Sequence, residues 1–300
     1  MICILLSTYN GEAHLEAQLQ SLIEQQGVEY FILVRDDGST DSTHEILDRW
    51  QAQGKLTWYA GENIKPCASF MHLLRHAPNA DHYAFCDQDD VWMNDKLAAA
   101  MPHLETSGCA PTRPALYFSS QLLIDADGQP LGSRLLHHTP TLRRALTDYY
   151  ATGCTMIFNH ALRQAVLCHS LQHVDMHDEW IYKVCMTVGG RAYADPSPHI
   201  LYRQHNNNYI GMGKKGRYGI LGIIIWQIKH HNDTRLTEAQ ELLAAYGDQL
   251  PPNELAFLTR LTRYRTHLGA KLRLALSPHR IYETLRAELL YRTAILFNAF

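Results

Sequence analysis

Short apolar runs alternate along this chain with segments whose apolar residues recur every three or four positions. It opens on Ile2-Cys3-Ile4-Leu5-Leu6, continues with Leu15, Leu19, Leu22 and Ile23 at helical spacing, and returns to Phe31-Ile32-Leu33-Val34. This is the rhythm of βαβ units. It predicts a helix over 42–50, a strand over 56–59, a helix over 68–76 and a strand ending at Cys86. Because the strand runs are continuously apolar rather than alternating, the sheet they build should be covered on both faces.

Past Asp90 the rhythm changes. A helix is predicted over 95–104, a strand over 116–120, and a turn at Asp127-Gly128 that suits an antiparallel hairpin, so the sheet should be mixed. Then follow a strand over 154–158, a helix over 160–169 and a helix over 178–188 closed by Gly189-Gly190. Two short strands are expected over 192–194 and 199–203, with Pro196 and Pro198 in the loop between them. Beyond Gly211 a glycine-punctuated basic stretch leads into long helical patterns that run to Phe300. The expected fold class is α/β: a mostly parallel mixed sheet flanked by helices over 1–213, then a helical appendage over 214–300. No internal repeat of fixed period is visible, which argues against solenoids and propellers.

With 46% hydrophobic residues in 300, the chain can bury a substantial core. Its seven cysteines are odd in number and lack any CxxC pair, against a disulfide framework or a zinc ribbon. A reducing cytoplasm is the simplest compartment. The opening apolar run has no basic flank and is too short for a signal or a span, so it reads as a buried first strand. The net charge of −3 hides an asymmetry: residues 1–213 carry 14 Lys and Arg against 23 Asp and Glu, a net of −9. Residues 214–300 carry 13 against 7, a net of +6. An acidic, metal-dependent part and a basic part facing something anionic would produce this, as would ordinary helix-surface charge. No nucleic-acid partner is expected.

The polar residues gather where the predicted strands end. In an open parallel sheet, ligands bind beyond the carboxyl ends of the strands. Ser7-Thr8-Tyr9-Asn10-Gly11 follows the first strand, with Glu12 in the next turn, and offers hydroxyls, a ring and an amide to a base. It is neither a GxGxxG nor a GxxxxGK[ST] loop, which counts against dinucleotide and P-loop readings. Asp36-Asp37-Gly38-Ser39-Thr40-Asp41 ends the second strand in the same way. Asp87-Gln88-Asp89-Asp90 places three carboxylates directly after Tyr83-Ala84-Phe85-Cys86, a donor set suited to Mg²⁺ or Mn²⁺. Each loop alone is also ordinary turn and cap chemistry; three at one edge point to a nucleotide site. His177-Asp178-Glu179-Trp180 holds carboxylates at a helix start, where one could take a proton from an acceptor hydroxyl, although capping explains an acid there equally well. Gly153-Cys154-Thr155 suggests a tight backbone approach. Tyr202-Arg203-Gln204-His205 follows the last strand, where Arg203 or His205 could meet a diphosphate or a metal.

These motifs, in this order and spacing over roughly residues 1–210, resemble the inverting family 2 glycosyltransferases, particularly bacterial rhamnosyltransferase-like members that build surface polysaccharides. The resemblance implies a GT-A fold, with a Rossmann-like nucleotide half over 1–95, an acceptor half over 96–213, and a nucleoside-diphosphate sugar donor. It assigns Thr8, Tyr9, Asp36 and Asp37 to the base and ribose, with Asn10, Glu12, Gly153 and Arg203 around the nucleotide sugar. Asp87 would lie by the ribose or diphosphate. Asp89, with His205, would bind the metal, Mn²⁺ or Mg²⁺. Asp178 would be the catalytic base. Two positions depart from the subgroup: Glu179, where an aromatic is usual and which competes with Asp178 as base, and Asn206, where a glycine is usual.

The apolar stretches over 218–228 and 289–300 are too short to cross a bilayer. With Lys214, Lys215, Arg217 and Lys229 nearby, they suit peripheral contact with an anionic inner membrane face, and thus a lipid-linked or glycan acceptor; a packed helical hairpin or an oligomer contact suits them equally. The donor could be a dTDP-sugar such as dTDP-rhamnose or a UDP-hexose. A sugar nucleotidyltransferase and a non-catalytic assembly subunit are the competing readings.

Overall fold

The computed structural model describes residues 1–105, 112–148, 151–169, 176–204 and 234–300. Four parallel strands build its first half: β1 (Ile2–Thr8), β2 (Tyr30–Asp36), β3 (Thr57–Ala60) and β4 (His82–Cys86), in the order β3-β2-β1-β4. Helices α1 (Leu15–Ile23), α2 (Thr43–Ala52) and α3 (Pro66–His76) connect them.

The mixed character enters beyond β4. There β8 (Ile157–Asn159) pairs antiparallel with β4, and β6 (Ala115–Ile124) runs antiparallel to β8. Next comes β9 (Arg191–Arg203), parallel to β6, and finally the two-residue β5 (Val91–Trp92). The hairpin expected at Asp127-Gly128 is present, returning as β7 (Pro130–Arg134), with Gly128 at φ 83° in the left-handed conformation that glycine adopts without strain.

Apolar residues alternate faces along each central strand, and both faces are covered. Ile2, Ile4 and Leu6 of β1 join Ile32, Val34, Ala84 and Cys86 against α1, α2 and α4 (Lys96–Leu104). Cys3, Leu5, Tyr83 and Phe85 pack on the other side against α3, α6 (His160–Leu167) and α7 (His177–Thr187). The short α5 (Leu142–Thr147), which the pattern did not announce, starts at Thr141, whose side chain accepts from the Arg144 N–H.

Helices α8 (Thr234–Tyr246), α9 (Pro252–Arg263), α10 (Leu268–Ala275) and α11 (Leu285–Leu296) pack onto that second face, contributing Leu242, Tyr246, Phe257, Leu258 and Tyr291 to the same core as Trp180 and Ile181. The boundary expected at 213/214 falls outside the described residues, as do His205, Asn206, Lys214, Lys215, Arg217, Lys229 and the 218–228 stretch. Among the described residues no helix is long and apolar enough to cross a membrane.

Two expected elements take different forms. Residues 154–158 are not one strand: Gly153–Thr155 is a 3₁₀ turn and the strand begins at Ile157. The turn is closed by the Thr155 and Met156 N–H groups donating to Thr152 and Gly153 carbonyls at 3.0 and 2.9 Å. The two short strands around Pro196 and Pro198 are instead one 13-residue strand. The prolines, which lack an N–H for the ladder, are absorbed in a register shift against β6, from Ser119 opposite Asp195 to Ser120 opposite Pro198. Gly190 ends α7 at a contact only glycine permits, since a Cβ there would lie 2.5 Å from the Cys185 carbonyl oxygen.

Candidate active site

The parallel register brings the ends of β1, β2 and β4 to one edge, with Thr8 opposite Asp36 and Leu6 opposite Cys86. There the three loops interlock. Thr8 Oγ1 donates to Asp36 Oδ2 at 2.9 Å, and the fully buried Asp36 also accepts from the Ser39 N–H at 2.8 Å and lies 2.7 Å from His44 Nε2. Burial alone would raise the Asp36 carboxyl, but hydrogen bonds from Ser39, His44 and Thr8 outweigh it and hold it below the usual range. Asp37 is buried too. It pairs with Arg35 and accepts from the Ile64 and Lys65 N–H groups, each at 3.0 Å.

Asn10, at φ 47°, bridges to the second loop: its N–H donates to Ser39 Oγ and its Oδ1 accepts from the Thr40 N–H, both at 2.8 Å. Glu12 does the same, accepting the Ser42 N–H at 3.0 Å. Gln88 ties in the third loop by accepting the Tyr9 N–H at 2.8 Å and donating to the Tyr9 carbonyl at 3.0 Å. Gly11 makes room for it, since a Cβ there would lie 2.4 Å from Gln88 Oε1. The Tyr9 ring is left 47% exposed on the rim.

The acid loop lies beside them. Ligand atoms of Asp87, Asp90 and Cys154 all fall within 4.8 Å of one another. Asp90 is buried; one oxygen accepts the Arg203 N–H at 3.0 Å and the other has no partner among the described residues. Burial pushes the Asp87 carboxyl up to about 7, reinforced by the charges of Asp89 and Asp178. The buried Lys96 is the counter-charge: it donates to the Cys154 carbonyl, lies 3.9 Å over the Trp92 ring, and is lowered by burial to about 8.

An unpartnered buried carboxylate oxygen beside a second carboxyl fits a divalent cation. Burial raises the Cys154 thiol and keeps it protonated, so oxygen ligands, and with them Mg²⁺ or Mn²⁺, suit the cluster better than a thiophilic metal. Asp89, expected as the direct ligand, is outside this three-donor cluster but close enough for its charge to raise both Asp87 and Asp90. Arg203, expected to face the nucleotide sugar, instead supports the loop. Its Nε donates to the Asp89 carbonyl at 2.8 Å, and its Nη1 to the carbonyls of Asp125 and Ala126 at 3.1 and 2.8 Å.

The opposite wall is the N-terminus of α7. Asp178 Oδ1 accepts the Glu179 N–H at 2.8 Å, and Oδ2 accepts the Gly153 N–H at 2.9 Å across 25 residues of sequence. The 3₁₀ turn aims that N–H. A Cβ on Gly153 would lie 2.9 Å from His177 Nε2 and 3.2 Å from the Asp178 Cβ, so glycine permits the approach. His177 is wedged against Phe70 and Phe85, with ring centroids 4.2 and 4.7 Å away.

Glu179 points elsewhere, because consecutive helical residues are about 100° apart around the axis. It joins a buried triad in which Lys183 Nζ lies 2.8 Å from Glu179 and 2.5 Å from Glu238 of α8. Packing therefore separates the two acids: Asp178 faces the acid loop and Glu179 faces the helices.

Thr8, Asp36, Tyr9, Asn10, Glu12, Asp87, Asp89, Gly153 and Asp178 therefore come together; Asp37 and Arg203 are committed behind the loops they support. Sequence reasoning passed over Gln88, Asp90, Cys154 and Lys96 as participants. The first two stood inside the acidic motif, but Lys96 in a first helical turn looks like any surface lysine.

A nucleotide-type sheet edge with an acid loop, facing a carboxylate on a separate helix, defines a glycosyltransferase of GT-A fold. The chain belongs to glycosyl transferase family 2, whose family model matches residues 3–167. It is similar to the dTDP-rhamnosyl transferase RfbG of Shigella flexneri, 29% identical over 243 residues that cover 73% of this chain and 78% of that one. It is also similar to the putative teichuronic acid biosynthesis glycosyltransferase TuaG of Bacillus subtilis (strain 168), 26% identical over 47% of this chain and 54% of that one. Among solved structures, S. aureus TarS 1–349 in complex with UDP-GlcNAc superposes with a TM-score of 0.60 at 15% identity, covering 93% of this chain and 76% of that one. The mannosyltransferase PcManGT from Pyrobaculum calidifontis, in complex with GDP-Man and Mn²⁺, gives 0.56 at 16% identity, covering 99% and 85%. At those identities the likeness is one of fold.

Proposed function

We propose that this glycosyltransferase transfers a sugar, L-rhamnose in the first instance, from a dTDP-sugar to a hydroxyl of a glycan or lipid-linked acceptor, with inversion, in bacterial surface polysaccharide synthesis. The observation that carries the reaction is the Asp178 carboxylate, held by the Gly153 N–H and facing the acid loop at the strand ends. The 29% identity to a dTDP-rhamnosyl transferase over most of both chains favours the donor; a UDP-hexose is the second reading, favoured by the UDP-GlcNAc complex among the fold neighbours.

In this reading Thr8, Asp36 and the loop around Asn10 and Glu12 shape the base and ribose pocket, with Asp37 fixing its floor, and the exposed Tyr9 ring stacks on the base. Asp87 and Asp90, with Asp89 beside them, would hold Mn²⁺ or Mg²⁺, which would neutralise charge on the departing diphosphate. Asp178 takes the proton from the acceptor hydroxyl as that oxygen approaches the anomeric carbon on the face opposite the diphosphate. Arg203 and Lys96 keep the acid loop in place. Work at the inner face of the plasma membrane follows if the acceptor is lipid-linked.

The test is a panel of nucleotide sugars with Mn²⁺, Mg²⁺ or EDTA, reading donor binding by calorimetry and product anomeric configuration by NMR. Asp178→Asn, which can still accept from Gly153, should bind donor normally and lose about 10²–10⁴-fold in turnover. Asp89→Ala or EDTA should abolish metal-dependent donor binding. Turnover by Asp178→Asn within a few-fold of wild type would remove the base assignment, and a product of retained configuration would remove the mechanism.

A further inference from the structure

The C-terminal helices form a cavity away from the sheet edge. A cavity of about 60 Å³ lies among α5, α9, α10 and α11, with Arg143, Phe257, Arg260, Arg273, His279 and Tyr291 in its wall. At roughly 10–15 Å³ per water-sized sphere this holds about four to six spheres, the size of a group of five heavy atoms such as phosphate.

Its charge is one-sided. Arg143 is matched by Glu254 at 3.3 Å, but Arg260, Arg273 and His279 have no carboxylate partner among the described residues. From residue 260 to 282 the sequence has six Lys and Arg and no Asp or Glu. The acids on adjoining elements are engaged elsewhere: Glu283 with Arg144 and His138, and Glu288 with Arg292 and the Ile281 and Tyr282 N–H groups. Arg260 is half-buried and Arg273 and His279 are exposed, so this positive charge lines the mouth of the cavity, where it attracts an anion.

A second observation points into the same space. Tyr291, which lines the cavity, is 5% exposed, and its buried hydroxyl has no hydrogen-bond partner among the described residues. A buried hydroxyl left unpaired costs free energy that a ligand oxygen would recover. Burial also raises the Tyr291 phenol, so it remains a donor.

We propose that this cavity binds a phosphate-class oxyanion, with the Arg260 and Arg273 guanidinium groups and His279 around it and the Tyr291 hydroxyl donating to it. Arginine suits the role through its fork of donors. Two sources offer this chemistry, a lipid headgroup and the free ion. Leu268 and Leu272 of α10 and Leu276 at its C-cap are exposed at helical spacing, which is why a membrane source belongs in the test.

The full chain is titrated with inorganic phosphate by calorimetry in metal-free buffer, and floated with phosphatidylcholine vesicles with and without phosphatidic acid. One phosphate should bind per chain. Arg260→Gln and Arg273→Gln should each weaken it about ten-fold or more, and Tyr291→Phe about three-fold or more, with melting temperature and transferase turnover unchanged in Arg273→Gln, whose side chain is exposed. Flotation that needs phosphatidic acid and is competed by phosphate identifies a lipid headgroup; phosphate binding without flotation identifies the free ion. Absence of both, or binding that Arg260→Gln and Arg273→Gln leave untouched, overturns the proposal.

Discussion

Gly153→Ala adds one methyl group at the point where the 3₁₀ turn meets α7, and the structure says what that methyl would strike. The new Cβ would lie 2.9 Å from His177 Nε2, 3.2 Å from the Asp178 Cβ and 3.4 Å from Asp178 Oδ2. His177 cannot yield easily, being buried between Phe70 and Phe85. The displacement therefore falls on Asp178, whose hydrogen bond to the Gly153 N–H lengthens. Overpacking of this kind costs about 1–3 kcal/mol, or about 2–5 °C in melting temperature for a chain of this length at roughly 2.1 cal/mol/K per residue.

The catalytic loss should be larger than the stability loss. A shift of about 1 Å in a reacting group costs on the order of 10²-fold in rate. The assay is steady-state transfer with saturating donor and Mn²⁺, alongside calorimetric donor binding and a thermal melt. Turnover should fall about 10²-fold while donor affinity stays within a few-fold. Gly128→Ala is the control: its Cβ would meet nothing within 4 Å, but its φ of 83° strains any side chain, so it should lose about 1–2 kcal/mol of stability with turnover intact. Wild-type turnover in Gly153→Ala, with a lowered melting temperature, would show that the close approach serves packing and does not position Asp178.

Burial pushes Glu179 up to about 7 against an ordinary value of 4.5, outweighing the attraction of Lys183, so its stabilising contribution is complete below pH 4.5 and is lost as pH rises through 7. Glu179→Gln should flatten that limb of the melting-temperature profile while turnover stays within a few-fold; a catalytic collapse would restore Glu179 as the base. Lys183→Met, leaving two buried carboxylates without a cation, should cost about 3–5 kcal/mol in chemical denaturation, and a cost below 1 would contradict the triad's burial. Arg203→Gln withdraws donors from the carbonyls of Asp89, Asp125 and Ala126, so the metal-dependent rise in melting temperature with donor should shrink markedly; an undiminished rise would deny that Arg203 sets the acid loop.

Much of the fold was legible because its signals are local. A continuously apolar run such as Ile2-Cys3-Ile4-Leu5-Leu6 has to be buried on both faces, and a glycine and small polar residues after it have to turn. Parallel βαβ order then forces consecutive polar turns to the same edge, so Thr8, Asp36 and Asp87 were bound to converge. Where non-local pairing overrode local chemistry the reading diverged: Pro196 and Pro198 suggested a break, yet nine registered pairs with β6 keep the strand continuous.

The sequence by itself determined the kinds of side chain at the sheet edge, their order, and hence the reaction class. It did not determine which acid of Asp178-Glu179 would face that edge. That choice depends on the rotation of α7, fixed by Trp180 and Ile181 in the core and by Glu238 waiting for Lys183, a contact 55 residues away in sequence. Likewise Arg203 carries the same guanidinium whether it meets a diphosphate or three carbonyl oxygens. Only the tertiary structure decides, because an ionisable side chain takes its role from the charges and hydrogen bonds around it, and those come from segments remote in sequence.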